Sequence, residues 1–272
     1  MPDAFAHQHF GDLVFKDVPN EQKFRIIPYI DLYNIGLQGP DFLFFYKPYK
    51  KNDVPVQGSK LHRQTGHEFW EETLSILKTT AADPKASLAY LAGFMCHYVL
   101  DSCCHAYVEQ YEIDTGVTHS DIEGEFDRYL LESLGLDPYT TDLVERFRPT
   151  RKSSEIVAPF TQFLSPEITF DALNGYRFYR KVFHCSNSFK REFLYAVLKL
   201  TGKYENYRGQ IINEFPYDNC EESDRKLYLL LHEQVPVCVE MISTLFLCAD
   251  TEDSDPLISR KRLDFTFDGQ LG

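Results

Sequence analysis

Residues 83–111, DPKASLAYLAGFMCHYVLDSCCHAYVEQY, contain the clearest helix signal in the chain. Asp83-Pro84 is a typical helix start, because proline is tolerated in the first turn and aspartate can cap the turn that follows. Apolar residues then fall on nearly every side of the predicted helix between Leu88 and Leu100. A helix that is apolar all round is buried, so we predict that this helix lies at the centre of the fold.

The same helix carries three side chains that can bind a metal, His97, Asp101 and His105. Each is four residues from the next, and four residues turn an α-helix only about 40° past a full turn, so the three share one face. A buried aspartate between two histidines is costly unless it is paired or metal-bound. A hydrogen-bonded His–Asp pair in the core would account for two of the three without a metal, whereas the third favours a metal site.

The next predicted helix, from about Thr118 to Gly135, repeats the spacing with His119 and Glu123. Such a pair also arises as an ordinary surface or capping contact. Asp127 lies one turn further on, and we predict that it faces solvent or pairs with Arg128 or another basic residue. Imidazole and carboxylate ligands without thiolate are typical of hydrolytic zinc. The two helices together therefore predict a zinc site that leaves room for a water.

The rest of the chain also favours helices, because apolar residues recur at steps of three and four. Further helices are predicted over residues 61–79, 169–201 and 221–249, with residues 36–59 mostly loop apart from a short helical piece near Phe42. The last fifteen residues are a short strand or a tail. We therefore predict an all-α fold, a single-domain multi-helix bundle over residues 1–272 with a metal cleft in its N-terminal half.

Charge and composition narrow the partners and the compartment. The formal net charge of −13 disfavours duplex nucleic acid as a partner. The start of the chain lacks the basic and apolar regions of an export signal, so a cytoplasmic location is expected. The apolar segment 227–248 contains His232, Glu233, Gln234 and Glu240, which are costly in hydrocarbon, so no transmembrane segment is expected. The seven cysteines show no Cys-x-x-Cys spacing and are expected to be reduced thiols. The oligomeric state is not predicted.

In order along the chain, the candidate ligands resemble the zinc-dependent phospholipase C family, which shares its fold with zinc-dependent single-strand nucleases. The resemblance is carried by His7 in His-Gln-His-Phe-Gly, Asp41 in Gly-Pro-Asp-Phe, His62 in Leu-His-Arg-Gln-Thr-Gly, His97-x-x-x-Asp101-x-x-x-His105 and His119-x-x-x-Glu123. These motifs lie within residues 1–130. The resemblance leaves residues 131–272 as a helical remainder that shapes the substrate cleft.

The resemblance implies a centre of two or three Zn²⁺ ions that activates water to hydrolyse a phosphate ester. The first zinc would be bound by Asp41, His62, His97 and Asp101, with Asp101 bridging to a neighbouring ion. The second zinc would be bound by His105, His119 and Glu123. The third would be bound by His7, Asp101 and the first residue of the chain, which is Pro2 if Met1 is removed. The resemblance also makes Asp41 the candidate catalytic residue that orients or deprotonates the water.

Three functions are compatible with this pattern. The first is a phospholipase C-like phosphodiesterase acting on a phospholipid headgroup or another small phosphate ester. The second is a single-strand nuclease, which needs a basic groove and aromatic stacking platforms; the net charge of −13 disfavours it, whereas the aromatic content of 15% is compatible with it. The third is a metal-stabilised binding protein without efficient turnover.

Overall fold

The computed structural model describes residues 3–162, 164–217, 219–251 and 253–272, with the side chain of Asn206 excepted. The fold is all-α, as the sequence predicts. Its helices are α1 (Ala4–Asp17), α2 (Asn20–Ile26), α3 (Ile30–Gly36), α4 (Val54–Arg63), α5 (Gly66–Thr79), α6 (Pro84–Thr115), α7 (His119–Ser133), α8 (Arg151–Val157), α9 (Pro166–Phe183), α10 (Ser188–Leu200), α11 (Tyr204–Tyr207), α12 (Glu221–Asp250) and α13 (Asp255–Ile258). Short 3-10 turns cover Ile27–Tyr29, Asp41–Phe45, Ala158–Phe160, Arg208–Gln210 and Lys261–Asp264.

Helix α6 is central, as its composition predicts. The side chain of Asp83 caps it by accepting a hydrogen bond from the backbone N–H of Ala86, and Gly116 ends it in the left-handed conformation. Every residue from Ala86 to Ser102 is buried. Helices α1, α3 and α12 pack around it, so its donor-bearing face lies inside the protein.

The crossing of α3 and α6 is a backbone-to-backbone contact. A Cβ on Gly36 would lie 2.1 Å from the carbonyl oxygen of Tyr90, and a Cβ on Gly93 would lie 2.1 Å from that of Tyr33. Glycine at both positions lets the two helices approach this closely. The crossing fixes the segment after α3, which leads to Asp41, against the middle of α6.

The structure differs from the sequence-based helix bounds in three regions. The helix predicted over residues 61–79 is interrupted at Gln64 and Thr65, because Thr65 caps α5 by accepting a hydrogen bond from the N–H of Glu68. Residues 184–187 separate α9 from α10, because the side chain of Asn187 caps a new helix by accepting a hydrogen bond from the N–H of Lys190. The region predicted to be mostly loop contains the expected turn Asp41–Phe45 but also the start of α4, where Pro55 lies in the first turn and so does not break the helix.

The C-terminal residues form a tail held by isolated bridges rather than a strand in the part of the chain that is described. Thr266 pairs with Thr65, and Phe265 pairs with Leu271. The tail also places Phe267, which is fully buried, against the rings of His62 and His97. It therefore covers one side of the donor-bearing face of α6.

Helix α12 is long and apolar enough to cross a membrane by length and composition alone. In this structure 44% of its most apolar window is buried inside the protein. It packs against α6, α1 and α7. Core helices of similar composition pack against their neighbours in the same way.

Candidate metal centre

Five separate segments bring the eight predicted donor side chains to one region. His7 lies on α1, Asp41 begins the 3-10 turn after α3, and His62 is in the last turn of α4. His97, Asp101 and His105 share one face of α6, and His119 and Glu123 lie in the first two turns of α7. All of them are buried except His119, which is partly exposed. Sequence spacing related these residues only within a single helix, whereas the structure brings all of them together.

The donor atoms form three groups, within each of which they lie no more than 4.8 Å apart. The groups are His7, His97 and Asp101; Asp41, His62 and His97; and His105, His119 and Glu123. His97 belongs to two of the groups and therefore joins them. Distances of this size are those expected of ligands that surround a shared cation.

Asp101 lies between two of the histidines and is completely buried. Its Oδ1 is 3.2 Å from Nε2 of His7, and its Oδ2 is 2.9 Å from Nε2 of His97. Although these atoms are close, neither contact has the angles of a hydrogen bond. Neither carboxylate oxygen of Asp101 therefore has a hydrogen-bond partner among the described residues. Burial alone would raise the pKa of Asp101, but the charges of His97 and His7 hold this pKa well below its usual range. The carboxylate is therefore in the ionised form that binds a metal.

The hydrogen bonds of two histidines fix which ring nitrogen faces the group. Nδ1 of His97 donates to the carbonyl oxygen of Leu37 at 3.3 Å, and Nδ1 of His62 donates to that of Gly58 at 2.8 Å. In both rings Nε2 is therefore the nitrogen that faces the donor group. Nε2 of His62 forms a hydrogen bond with Oδ1 of Asp41 at 3.1 Å. Burial alone would lower the pKa of His62, but this hydrogen bond and the charge of Asp41 raise it. A metal ion that replaced the shared proton would be held by the same two atoms.

Burial keeps the other histidines in the donor form. It lowers the pKa of His7, an effect increased by the nearby His97 and partly offset by Asp101, and it lowers the pKa of His105 well below its usual value. Both ring nitrogens of His7 lack a hydrogen-bond partner among the described residues, and so does Nε2 of His105. Unpartnered buried nitrogens are costly, and a metal ion would satisfy them.

An open cleft of about 410 Å³ leads to the third group. Phe44, Ser59, His62, Arg63, His105, His119, Glu123 and Asp268 line it. Its volume is within the range of small-molecule sites. The donors are therefore reachable from solvent on this side, while Asp101 and His97 lie beneath them.

The family comparison matches residues 6–166 to a family described as zinc-dependent phospholipase C. The matched stretch is more than half of the chain and contains His7 to Glu123. The chain belongs to the zinc-dependent phospholipase C family. No curated protein and no solved structure matches it. The resemblance inferred from the ordered motifs is thus confirmed, and family and donor groups together support a zinc-dependent hydrolase.

Two residues of the cleft of this phospholipase C family member were missed by sequence reasoning. Asp268 lies in the tail, where its backbone N–H donates to the carbonyl oxygen of His62 at 3.3 Å and its Oδ1 is 3.5 Å from Nδ1 of His105. Arg63 follows His62 inside the quoted motif, which was its only signal. Nothing in the local sequence connects Asp268 with His105, because their contact depends on the fold of the tail.

The prediction for Asp127 was wrong. Its side chain is 1% exposed and accepts hydrogen bonds from the backbone N–H groups of Phe5 and Ala6, at 2.9 and 2.8 Å. The first turn of α1 has unsatisfied N–H groups and a positive dipole end, which a buried carboxylate from α7 satisfies. A buried ion pair between Asp3 and Arg180 lies beside it. Asp127 therefore anchors the helix that carries His7.

Two other histidines of the N-terminal half lie outside the three groups. His67 pairs with Asp264 at 2.7 Å, away from the groups, and His9 stacks against Phe5. The seven cysteines, all within the described residues, are free thiols. The predicted contribution of Pro2 to a third zinc falls outside the described residues.

Proposed function

We propose that the protein is a phospholipase C-like phosphodiesterase with a centre of two or three zinc ions. The observation that carries the proposal is the completely buried Asp101, whose two carboxylate oxygens each face a different histidine nitrogen. Cations held by the residues around this carboxylate would balance a charge that the described hydrogen bonds leave unsatisfied.

Asp41, His62, His97 and Asp101 would hold the first ion, and His105, His119 and Glu123 would hold the second. His7 and Asp101 would hold a third ion together with the first residue of the chain, Pro2 after removal of Met1. These sets are close to the three donor groups, except that Asp101 groups with His7 and His97 rather than with Asp41 and His62. Supporting observations are the distances within each group and the ring orientations fixed by Leu37 and Gly58.

When bound, zinc supplies Lewis acidity at the phosphate and lowers the pKa of a coordinated water. Side chains of the protein then position the water and the phosphate and accept the proton of the water. Asp41, whose Oδ1 lies near both His62 and His97, orients the attacking water and accepts its proton. Arg63 at the cleft wall pairs with a non-bridging phosphate oxygen, since guanidinium and phosphate are complementary in charge and shape.

The residues that line the cleft favour a small phosphodiester over a nucleic-acid strand as the substrate. Among its described lining residues Arg63 is the one basic side chain apart from histidines, and Phe44 is the one aromatic ring apart from them. A single-strand nuclease binds several nucleotides with a basic groove and repeated stacking platforms. A phospholipid headgroup ester needs only one phosphate site beside the donors.

The test is to measure zinc per chain and then hydrolysis of three substrates with and without a chelator. The substrates are bis(p-nitrophenyl) phosphate, phosphatidylcholine micelles and single-stranded DNA. We expect two or three zinc ions and chelator-sensitive cleavage of the first two substrates. Cleavage of DNA alone would favour the nuclease. Full zinc loading without turnover of any substrate would favour a metal-stabilised binding protein.

A further inference from the structure

Helix α10 presents an apolar stripe to solvent. Phe189, Phe193, Ala196, Val197 and Leu200 are all exposed. Their spacing of four, three, one and three residues confines them to about 100° of the helix circumference. The exposed fractions of Phe189 and Leu200 are 82% and 88%. A stripe of this width is what an amphipathic helix normally turns towards a core.

The opposite face of α10 holds the helix to the protein. Leu198 and Arg191 are buried, and Arg191 forms an ion pair with Glu214 at 2.6 Å. The hydroxyl of Tyr195 donates to Oδ1 of Asn213 at 2.6 Å. Because α10 is already anchored on one side, the apolar stripe is a second apolar face and is not explained by packing among the described residues.

Lysines lie around the stripe. Residues 188–203 contain four basic residues and one acidic residue. Arg191 is paired with Glu214, whereas Lys190, Lys199 and Lys203 outnumber the exposed Glu192 and have no carboxylate partner among the described ion pairs. Nζ of Lys190 donates to the carbonyl oxygens of Lys181 and His184, and Nζ of Lys199 lies over the ring of Tyr204, so both ammonium groups keep their charge. This local excess of positive charge occurs in a chain whose net charge is −13. Lysines beside an exposed aromatic stripe are typical of helices that lie in a membrane interface, where the ammonium groups reach the lipid phosphates.

The helix continues into a segment that braces the metal centre. Gly209 packs on the first turn of α7, where a Cβ on Gly209 would lie 2.2 Å from the carbonyl oxygen of Ser120. Arg208 forms an ion pair with the buried Asp121 at 2.6 Å. Since α7 carries His119 and Glu123, the stripe is joined by a short, packed connection to one wall of the cleft.

We propose that the apolar stripe of α10 docks on the surface of a lipid bilayer that contains anionic phospholipid. The proposal rests on the proposed function, because a phospholipase must reach substrate at such a surface. A second copy of the chain is a poorer occupant. Face-to-face pairing of two stripes would bring the same lysines together, and these like charges repel, whereas an anionic lipid surface attracts them.

The test is co-sedimentation of the full chain with vesicles of phosphatidylcholine alone or with phosphatidylserine added. We expect binding to the mixed vesicles that weakens with salt. Phe189→Ser/Phe193→Ser should lower the partition coefficient by about tenfold or more. The control variant Ile113→Ser/Leu229→Ser removes exposed apolar residues from α6 and α12 and should bind like the parent chain.

Hydrolysis of bis(p-nitrophenyl) phosphate should be unchanged in both variants, and circular dichroism should show that both fold. Sedimentation needs no turnover, so the docking surface can be tested even if the proposed function fails. Equal vesicle binding by the stripe variant and the parent chain would overturn the proposal, as would absence of binding to mixed vesicles. A parent dimer that becomes monomeric in the stripe variant would assign the stripe to self-association instead.

Discussion

Gly39 lies directly against the imidazole ring of His97. Its backbone has φ = +46°, and a Cβ built on it would be 2.1 Å from Cδ2 and 2.4 Å from Nε2 of His97. His97 joins two of the donor groups, so the position of this ring matters for both. The absence of a side chain at residue 39 is therefore a condition for the metal centre.

Gly39→Ala should displace the His97 ring and lower zinc affinity by at least about tenfold, a loss of the size seen when supporting residues of metal sites are changed. The measurement is a zinc titration against a competing chelator. Gly116→Ala is the matched control, because Gly116 also has positive φ (+75°) but a Cβ there would meet no atom within 4 Å. If Gly39→Ala and Gly116→Ala have the same zinc affinity, the contact of residue 39 with the His97 ring has no specific effect on the site.

Asp101→Asn should remove at least one zinc per chain and reduce phosphodiester hydrolysis by about 100-fold or more, because one substitution weakens two ligand groups. Elemental analysis of the purified variant and a steady-state assay measure the two effects. Asp114→Asn is the control at the exposed end of the same helix. Unchanged metal content and activity in Asp101→Asn would refute the bridging role.

Asp268→Asn should weaken zinc binding by about 10- to 100-fold while leaving the fold intact. A carboxylate beside Nδ1 of a ligand histidine fixes its tautomer and makes Nε2 a better donor, and Asp268 has this place beside His105. The comparison variant is Asp264→Asn, which removes the carboxylate paired with His67, a histidine outside the donor groups. If both variants bind zinc like the parent chain, Asp268 has no positioning role.

Asp127→Ala should lower the free energy of unfolding by about 2–4 kcal/mol, since it leaves the buried N–H groups of Phe5 and Ala6 without their acceptor. Urea denaturation measures this change. Asp127→Asn retains one acceptor oxygen, so its free energy of unfolding should lie between those of the parent chain and Asp127→Ala. Glu132→Ala on the same helix removes a half-exposed carboxylate from the buried Arg128, which stays paired with Glu125, and should cost no more than about 1 kcal/mol; a cost as large as that of Asp127→Ala would contradict the anchoring role.

Asp224→Asn should stabilise the protein at pH 8 by about 1 kcal/mol or more and flatten its stability between pH 4 and pH 8. Burial, with the charge of Glu125, raises the pKa of Asp224 from 3.8 to about 8. The folded state thus holds a proton that the unfolded chain releases near pH 4, so stability falls as pH rises through this range. Asparagine resembles the protonated acid and does not ionise.

Urea denaturation at pH 5 and pH 8 compares Asp224→Asn with the parent chain. Asp250→Asn changes an exposed aspartate at the other end of the same helix and should shift stability equally at both pH values. A parent chain whose stability is flat from pH 4 to pH 8 would be inconsistent with the raised pKa of Asp224.

Sequence was sufficient where spacing along one element decides geometry. His97, Asp101 and His105 share a face of α6 because every helix has the same period, and the start signal Asp83-Pro84 gives the first residue of this helix. The ordered family motifs then linked His7, Asp41 and His62 to this face. Their meeting could not be derived from spacing, because it depends on how α1, α3 and α4 pack on α6.

The failures have the same physical origin. Asp127 has a polar sequence environment, yet it is buried because the start of α1, more than a hundred residues earlier, needs an acceptor. Asp268 was missed because its partner His105 lies on α6 and only the fold of the tail brings them together. Contacts between distant segments leave no periodic signal in the chain.

The candidate metal centre and its cleft combine residues from His7 to Asp268. During synthesis, His7, His97 and Asp101 emerge long before the segment that carries Phe267 and Asp268 can settle on α4 and α6. For the proposed zinc centre, we therefore expect a chain clipped before Phe267 to exchange its metal faster than the parent chain, since it would lack the ring beside His97 and the carboxylate beside His105. Metal retention would then report that this late segment has folded.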